Sequence, residues 1–328
     1  LIAFSNQHFY DNELIVFPAP HQQNSDYGVQ LRYVAGATYQ QGYNLIEAEA
    51  VVAAVAEHFS HYPQLSLGVA TVNLKQQELI SDVLDQFCQQ APGLEEQIKA
   101  TETSAEPFFI KNLENVQGDE RDVIFISTTY GPDSPTGRIF QRFGPINHDM
   151  GWRRLNVIFT RAKQRLVLFT ALRSRDIHPT LESKRGVLIL KKYLEYAESG
   201  GRLAEQKSMT GKAPDSDFEV AITRLLNQYG YQTVSQVGVA GFRIDIGVCH
   251  PQHPHEYILG IECDGANYHS AKSIRDRDRL RQAILERKGW KIHRIWSTDW
   301  FKNRETEVKR LLEVLASLKR VVRSLPST

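Results

Sequence analysis

Apolar and polar positions change rhythm several times along the chain. Behind an N-x-x-E pattern made by Asn44 and Glu47, a capping-box signature, apolar residues recur at helical spacing to about His61. LSLGVATVN (65–73) then reads as a strand buried on both faces, and LKQQELISDVLDQFC (74–88) as an amphipathic helix. Further strands are predicted at FFIKNL (108–113), DVIFISTTYG (122–131) and RLVLFTAL (165–172), with a helix at WRRLNVIFTRAK (152–163). Strands apolar on both faces alternating with helices predict an α/β fold, a parallel sheet with helices packed on each side.

The rhythm changes after Leu172. RGVLILKKYLEYAESG (185–200) is a predicted helix stopped by Gly200 and Gly201, and EQKSMTGKAPDSD (205–217) is a polar linker. A second α/β set begins near Phe218: a helix with a glycine stop, strands at FRIDIGV (242–248) and YILGIECDG (257–265), and a helix over 273–289. A strand at WKIHRIW (290–296) and a closing helix from Thr306 complete it. The expected division is a first domain over 1–175, a helical linker over 176–212 and a smaller domain over 213–328.

Composition sharpens this picture in three ways. A chain of 328 residues with 41% hydrophobic and 23% charged positions has room for two cores. No apolar run approaches the roughly 20 residues that cross a bilayer, so no membrane partner is expected. Net charge is +1, so any grip on nucleic acid has to be local. Cys88, Cys249 and Cys263 are odd in number and form no CxxC pair, which argues against a disulfide framework or zinc site and suits a reducing cytoplasm. The opening LIAFSNQHFYDNELIVFP reads like the middle of a fold, as expected of a fragment of a longer protein.

NVQGDERDVIFISTTYG (115–131) and GWRRLNVIFTRAKQRLVLFT (151–170) resemble motifs V and VI of superfamily 1 helicases, in the branch that includes the nonsense-mediated-decay helicase. GVATVNLKQQELI (68–80) resembles motif IV, and the resemblance covers roughly residues 1–172. It implies the second RecA-like domain of an ATP-driven motor. By that resemblance Arg161 is the arginine finger that stabilises charge on the γ-phosphate, with Arg154 nearby. Gln117, Gly118 and Glu120 fall where motif V couples nucleotide to nucleic acid, Glu120 near the ribose. The plainer alternative makes Arg154 and Arg161 surface charges on an amphipathic helix. The sequence holds no GxxxxGK[ST] loop. The phosphate cradle is therefore expected on a missing N-terminal RecA-like domain, and ATP hydrolysis is not expected of this fragment alone.

The second domain carries Asp245 in one predicted strand and Glu262 and Asp264 in the next. Residues two apart on a strand share a face, and carboxylates gathered on one face repel unless they share a divalent cation. The alternative is that Asp245 pairs with Arg243 or another arginine and Asp264 opens an Asp-Gly turn. The D-x(16)-E-x-D pattern resembles the D…(D/E)xK core of restriction-endonuclease-like folds, closest to the very-short-patch repair branch. The resemblance implies a Mg²⁺ or Mn²⁺ site on Asp245, Glu262 and Asp264. Asp264 stands where that core has lysine, which leaves His269 as the proton-handling group, and Glu219 matches the helix glutamate that completes such sites. The arginine-rich helix after it supplies Arg277 and Arg281 as candidates for phosphate contact, Arg281 also as an active-site helper.

Together these readings imply the C-terminal part of a helicase–nuclease fusion acting on DNA rather than RNA, in repair or defence. The rival expectation is an endonuclease fold kept as a non-cutting nucleic-acid-binding module.

Overall fold

The computed structural model describes residues 1–20, 27–201, 216–239, 242–264 and 272–323. The chain forms two compact units. The described residues of the first are 1–12 and 27–201, and the second takes 13–20 together with those from 216 onward.

The first unit runs α1 (Ile2–Phe9), β1 (Gly28–Tyr33), α2 (Leu45–His61), β2 (Leu67–Thr71), α3 (Leu74–Gln90), α4 (Pro92–Thr101), β3 (Phe109–Asn112) and β4 (Arg121–Ser127). It continues with α5 (Gly151–Phe159), β5 (Ala162–Thr170) and α6 (Arg185–Glu198). The strands order as β1-β5-β4-β2-β3, and every pairing is parallel. All five residues of β2 are buried, as the continuous apolar run required. Alternation along β5 feeds two cores. Leu166 and Leu168 join Phe4, Leu155, Ile158 and Tyr193, while Val167 and Phe169 join Val51, Val55, Ile80 and Leu84. Each such side chain contributes about 1.5–3 kcal/mol by leaving water.

Two asparagines start the helices that matter. Asn44 caps α2 by accepting from Glu47 N, and Asn73 caps α3 by accepting from Gln76 N. Glu47 is fully buried and accepts from Ser127 Oγ at 2.6 Å and Thr129 N at 2.7 Å. Gln76 bonds Asn44 N at 2.7 Å, Asn44 O at 3.0 Å and Ser127 Oγ at 3.1 Å. The first turns of both helices are thereby tied to the end of β4. Thr129, just beyond, is held at φ 70°, a left-handed conformation costly for a β-branched residue.

Three features differ from the sequence reading. β1 has no counterpart in the apolar pattern; it is an edge strand in which only Val29 is buried and Arg32 and Tyr33 are exposed. The predicted helix over 152–163 stops at Phe159, because Ala162 and Lys163 already belong to β5. Residues 185–198, expected within a linker, are core: Val187, Leu190, Tyr193 and Leu194 are buried, and the Tyr193 ring stacks on Phe159 with centroids 3.4 Å apart.

The second unit holds α7 (Asp217–Gln228), β6 (Thr233–Val239), β7 (Phe242–Cys249), β8 (Tyr257–Asp264), α8 (Lys272–Arg287), β9 (Ile292–Trp296), α9 (Ser297–Lys302) and α10 (Arg304–Arg323). Its sheet is mixed, in the order β6-β7-β8-β9. The first two pairings are antiparallel and β8–β9 is parallel. Parallel neighbours need a crossover, and the segment carrying α8 makes it. Ile222, Leu226, Ile246, Ile261, Ile295 and Leu311 fill the core under α7 and α10.

Residues 13–20 complete this second unit. Trp290 donates its indole N–H to Pro18 O at 2.9 Å, Tyr257 N donates to Pro20 O at 2.9 Å, and Phe17 packs against the cluster of Val237, Ile244 and Trp290. Among the described residues no helix is long and apolar enough to cross a membrane.

Candidate functional site

In the first unit, the residues singled out around motifs V and VI converge. Arg161 lies between α5 and β5, and its backbone carbonyl accepts from Arg121 N at 3.1 Å, which sets it beside the loop entering β4. Its guanidinium turns back on the end of α5, donating from Nε to Val157 O at 2.8 Å and from Nη2 to Thr160 Oγ1 at 3.1 Å. A cation at a helix C-terminus is held there by the dipole as well as by hydrogen bonds. Nη1 also approaches Asp119 O at 3.5 Å. Arg154, on α5, pairs with Glu114 at 2.9 Å. Gln117, Gly118 and Glu120 are exposed on the same loop, with Lys163 4.0 Å from Glu120. Gly118 has φ 90° and open space around its α-carbon, so the backbone conformation alone calls for glycine there.

In the second unit, strand register assembles the carboxylates. The antiparallel ladder pairs Ile246 with Ile261, so one step further Asp245 faces Glu262 on one side of the sheet. Asp245 Oδ2 accepts from Cys263 N at 2.7 Å, a side chain taking a backbone donor of the neighbouring strand. The parallel ladder sets Glu262 beside Arg294. Arg294 Nη2 lies 2.7 Å from Glu262 Oε2, and its Nε lies 3.1 Å from Asp264 Oδ2. Arg281, on α8, brings Nη2 to 3.3 Å from Glu262 Oε1 and donates to the Arg243 carbonyl. Glu262 and Asp264 thus share a face, as their spacing predicted, and share one guanidinium.

Glu219 enters from α7, where Ser216 caps the helix by accepting from Glu219 N and in turn donates to Glu219 Oε1 at 3.1 Å. Gln236 Nε2 donates to its other oxygen at 3.0 Å. Glu219 and Glu262 are both buried. Burial pushes the Asp245 carboxyl up to about 6, and the charges of Glu219 and Glu262 push the same way, against the Cys263 N–H and Arg281. The Cys263 thiol is likewise raised by burial and by Asp245, Glu219, Asp264 and Glu262 around it.

The donor set is one of hard oxygens. Arg281 and Arg294 face the carboxylates of Glu262 and Asp264, and Arg243, two residues before Asp245 on β7, lies on the same side of that strand. Among the described residues no three His, Cys, Asp or Glu side chains gather into a metal-holding group. The expected triad of Asp245, Glu262 and Asp264 is therefore not closed in this arrangement, because Asp264 turns to Arg294. The facing pair Asp245 and Glu262 remains, and magnesium is commonly held by one or two carboxylates plus water and substrate phosphate.

His269 lies outside the described residues, and so does the side chain of Arg277. Sequence reasoning missed Arg294 and Gln236. Arg294 is an arginine in the apolar strand KIHRIW, which could have drawn notice; its partner depends on a strand register that spacing cannot supply.

Residues 1–172 match the family model of an AAA domain, AAA_12. The chain belongs to this family. Its first unit is a RecA-like helicase domain of the superfamily 1 type, and residues 218–315 match the REase_MTES_1575 model, a restriction-endonuclease-like domain. Over 317 residues, 92% of this chain, it is 31% identical to an uncharacterised ATP-dependent helicase of Mycoplasma pneumoniae. A Mycoplasma genitalium protein of the same description is 30% identical over 332 residues, 96% of this chain. The chain spans 27% and 28% of the length of these two relatives. A solved C-terminal domain of a possible DNA helicase from Lactobacillus plantarum WCFS1 is 13% identical, with a TM-score of 0.28 over 51% of this chain and 82% of that one.

Proposed function

We propose that the chain is the C-terminal part of an ATP-dependent helicase whose last domain hydrolyses phosphodiester bonds in DNA with Mg²⁺ or Mn²⁺. The observation that carries the nuclease reading is Asp245 facing Glu262 across β7 and β8, with buried Glu219 among the charges that raise the Asp245 carboxyl. Asp245 and Glu262 would hold the cation, which when bound polarises the scissile phosphate and lowers the pKa of a coordinated water. Glu219 adds charge from α7 and is fixed by Ser216 and Gln236. Arg281 and Arg294 orient Glu262. His269 is the proposed proton acceptor, and Arg277 with Arg281 the proposed grip on the backbone. DNA repair or defence is the setting such a fusion implies.

For the motor, Arg161 is the proposed arginine finger, with Arg154, Gln117, Gly118 and Glu120 around the nucleotide. The partner is the N-terminal RecA-like domain of the same protein, which supplies the phosphate cradle. The Arg161 guanidinium would exchange Val157 O and Thr160 Oγ1 for phosphate oxygens.

The test is plasmid nicking by the purified chain with Mg²⁺ or Mn²⁺, beside Asp245→Ala and Glu262→Ala. Cutting abolished by either substitution supports the nuclease; absence of metal-dependent cutting by the unsubstituted chain refutes it. A second reading, the domain as a non-cutting DNA-binding module, draws on the two arginines already neutralising Glu262. It expects DNA binding that survives both substitutions.

A further inference from the structure

The endonuclease core that the second unit resembles carries a lysine two residues after its glutamate, and here that position is Asp264. A cation nevertheless reaches the same face from a different strand. Arg294 is the register partner of Glu262 in the parallel β8–β9 ladder, and its guanidinium touches both Glu262 and Asp264. We infer that Arg294 is the cation of this active site, contacting the scissile phosphate in place of the absent lysine. This rests on the nuclease reading above.

Three observations support a role beyond structural pairing. Glu262 also has Arg281, so Arg294 is not needed as its sole counter-charge. The Arg294 side chain is 22% exposed, whereas that of Glu262 is 5% exposed, so the arginine is the more accessible member of the pair. Nη2 donates to Glu262 while Nε lies 3.1 Å from Asp264 Oδ2 as an ion pair, so the guanidinium is held between two carboxylates. A planar fork so held can meet phosphate oxygens in a defined orientation, as a lysine cannot.

The chemistry requires such a charge. Water oxygen adds to phosphorus and gives up a proton to solvent, the bond to the leaving oxygen breaks, and that oxygen takes a proton from solvent. Negative charge grows on the non-bridging oxygens in between, where a prepositioned donor acts most strongly. The assignment also explains Asp264. Rather than replacing the lysine as a catalytic group, it holds the arginine that does.

The experiment uses the whole chain with Arg294→Gln and Arg294→Lys, each checked by thermal unfolding. Two readouts are taken: Mg²⁺-dependent cutting, and the salt dependence of duplex-DNA affinity in Ca²⁺. Arg294→Gln is expected to slow cutting about a hundredfold, the usual effect of losing one transition-state donor. Its salt slope is expected to fall by about one, the mark of a lost phosphate contact. Arg294→Lys is expected to keep the slope and regain part of the rate, and added guanidinium is expected to restore cutting to Arg294→Gln. Unchanged rate and slope in a folded Arg294→Gln protein would overturn the inference while leaving the nuclease reading intact. If the unsubstituted chain does not cut, the nuclease reading fails by itself. The slope then decides the phosphate contact: a fall upholds it and no change rejects it.

Discussion

Gln236 donates from Nε2 to Glu219 Oε2 at 3.0 Å, and it does so from a backbone held at φ 53°. It lies in β6 between the pairs Ser235–Ile246 and Val237–Ile244, directly across from Asp245. A left-handed residue inside a strand costs about 1–3 kcal/mol and persists only where surroundings enforce it. Such strain, one strand from the Asp245–Glu262 pair and bonded to Glu219, marks Gln236 as a positioning residue.

Gln236→Gly separates the two effects. Glycine relieves the backbone but removes the hydrogen bond to a buried carboxylate, worth about 1.5–3 kcal/mol. Denaturant unfolding is expected to show a net loss of about 1–2 kcal/mol, and Gln236→Ala, which keeps strain and loses the bond, a larger one. A stabilised Gln236→Gly protein would show that the relief of strain outweighs the bond.

Simple excision should weaken the second unit. A piece beginning at Asp217 lacks residues 13–20, and with them the carbonyls of Pro18 and Pro20 that accept from Trp290 and Tyr257. Leaving a buried indole N–H without a partner costs about 1–3 kcal/mol, before the lost packing of Phe17. The excised piece is expected to unfold at lower temperature than one in which residues 12–20 are fused through a flexible linker. Equal midpoints would contradict this.

Glu47 predicts a pH dependence. Burial raises its carboxyl from 4.5 to about 7, despite the hydrogen bonds from Ser127 and Thr129. The folded state then binds more protons than the unfolded one between these values, so this group's contribution to stability falls as pH rises through that window. The size is about 3 kcal/mol, because each tenfold change in proton affinity is worth ~1.4 kcal/mol. The stability difference between the unsubstituted chain and Glu47→Gln, followed by denaturant titration from pH 4.5 to 7, should move in that direction and level off above it.

Arg161→Ala, placed in the full-length protein, is expected to reduce ATP turnover by about a thousandfold or more while changing nucleotide affinity far less. Single-turnover hydrolysis beside nucleotide titration measures both. Loss of affinity with unaltered turnover would assign Arg161 to binding instead of chemistry.

Much of the fold is legible because burial writes itself into sequence. The unbroken apolar runs at β2 and β4 and the Asn44–Glu47 cap require no partner to be recognised. β1 and β6 are not legible, since half-exposed strands carry mixed residues and β6 contains a left-handed glutamine. α6 reads as a linker helix because its amphipathic pattern does not say what it packs against. At the candidate site, spacing suffices for Glu262 and Asp264, which lie on one strand. Arg294 and Gln236 join them through register and backbone strain, properties that spacing does not carry. Asp264, which sequence offers as a metal ligand, forms an ion pair with an arginine that only the β8–β9 pairing brings near.

The bond from Trp290 to Pro18 closes over 272 residues of chain. During synthesis the Pro18 segment leaves the ribosome long before its partner exists. Contacts of such separation form late and slowly, after the entropy of a very large loop has been overcome. The nucleic-acid-cutting unit proposed here would therefore be the last part of the chain to become competent, appearing only once the motor domain preceding it is already built.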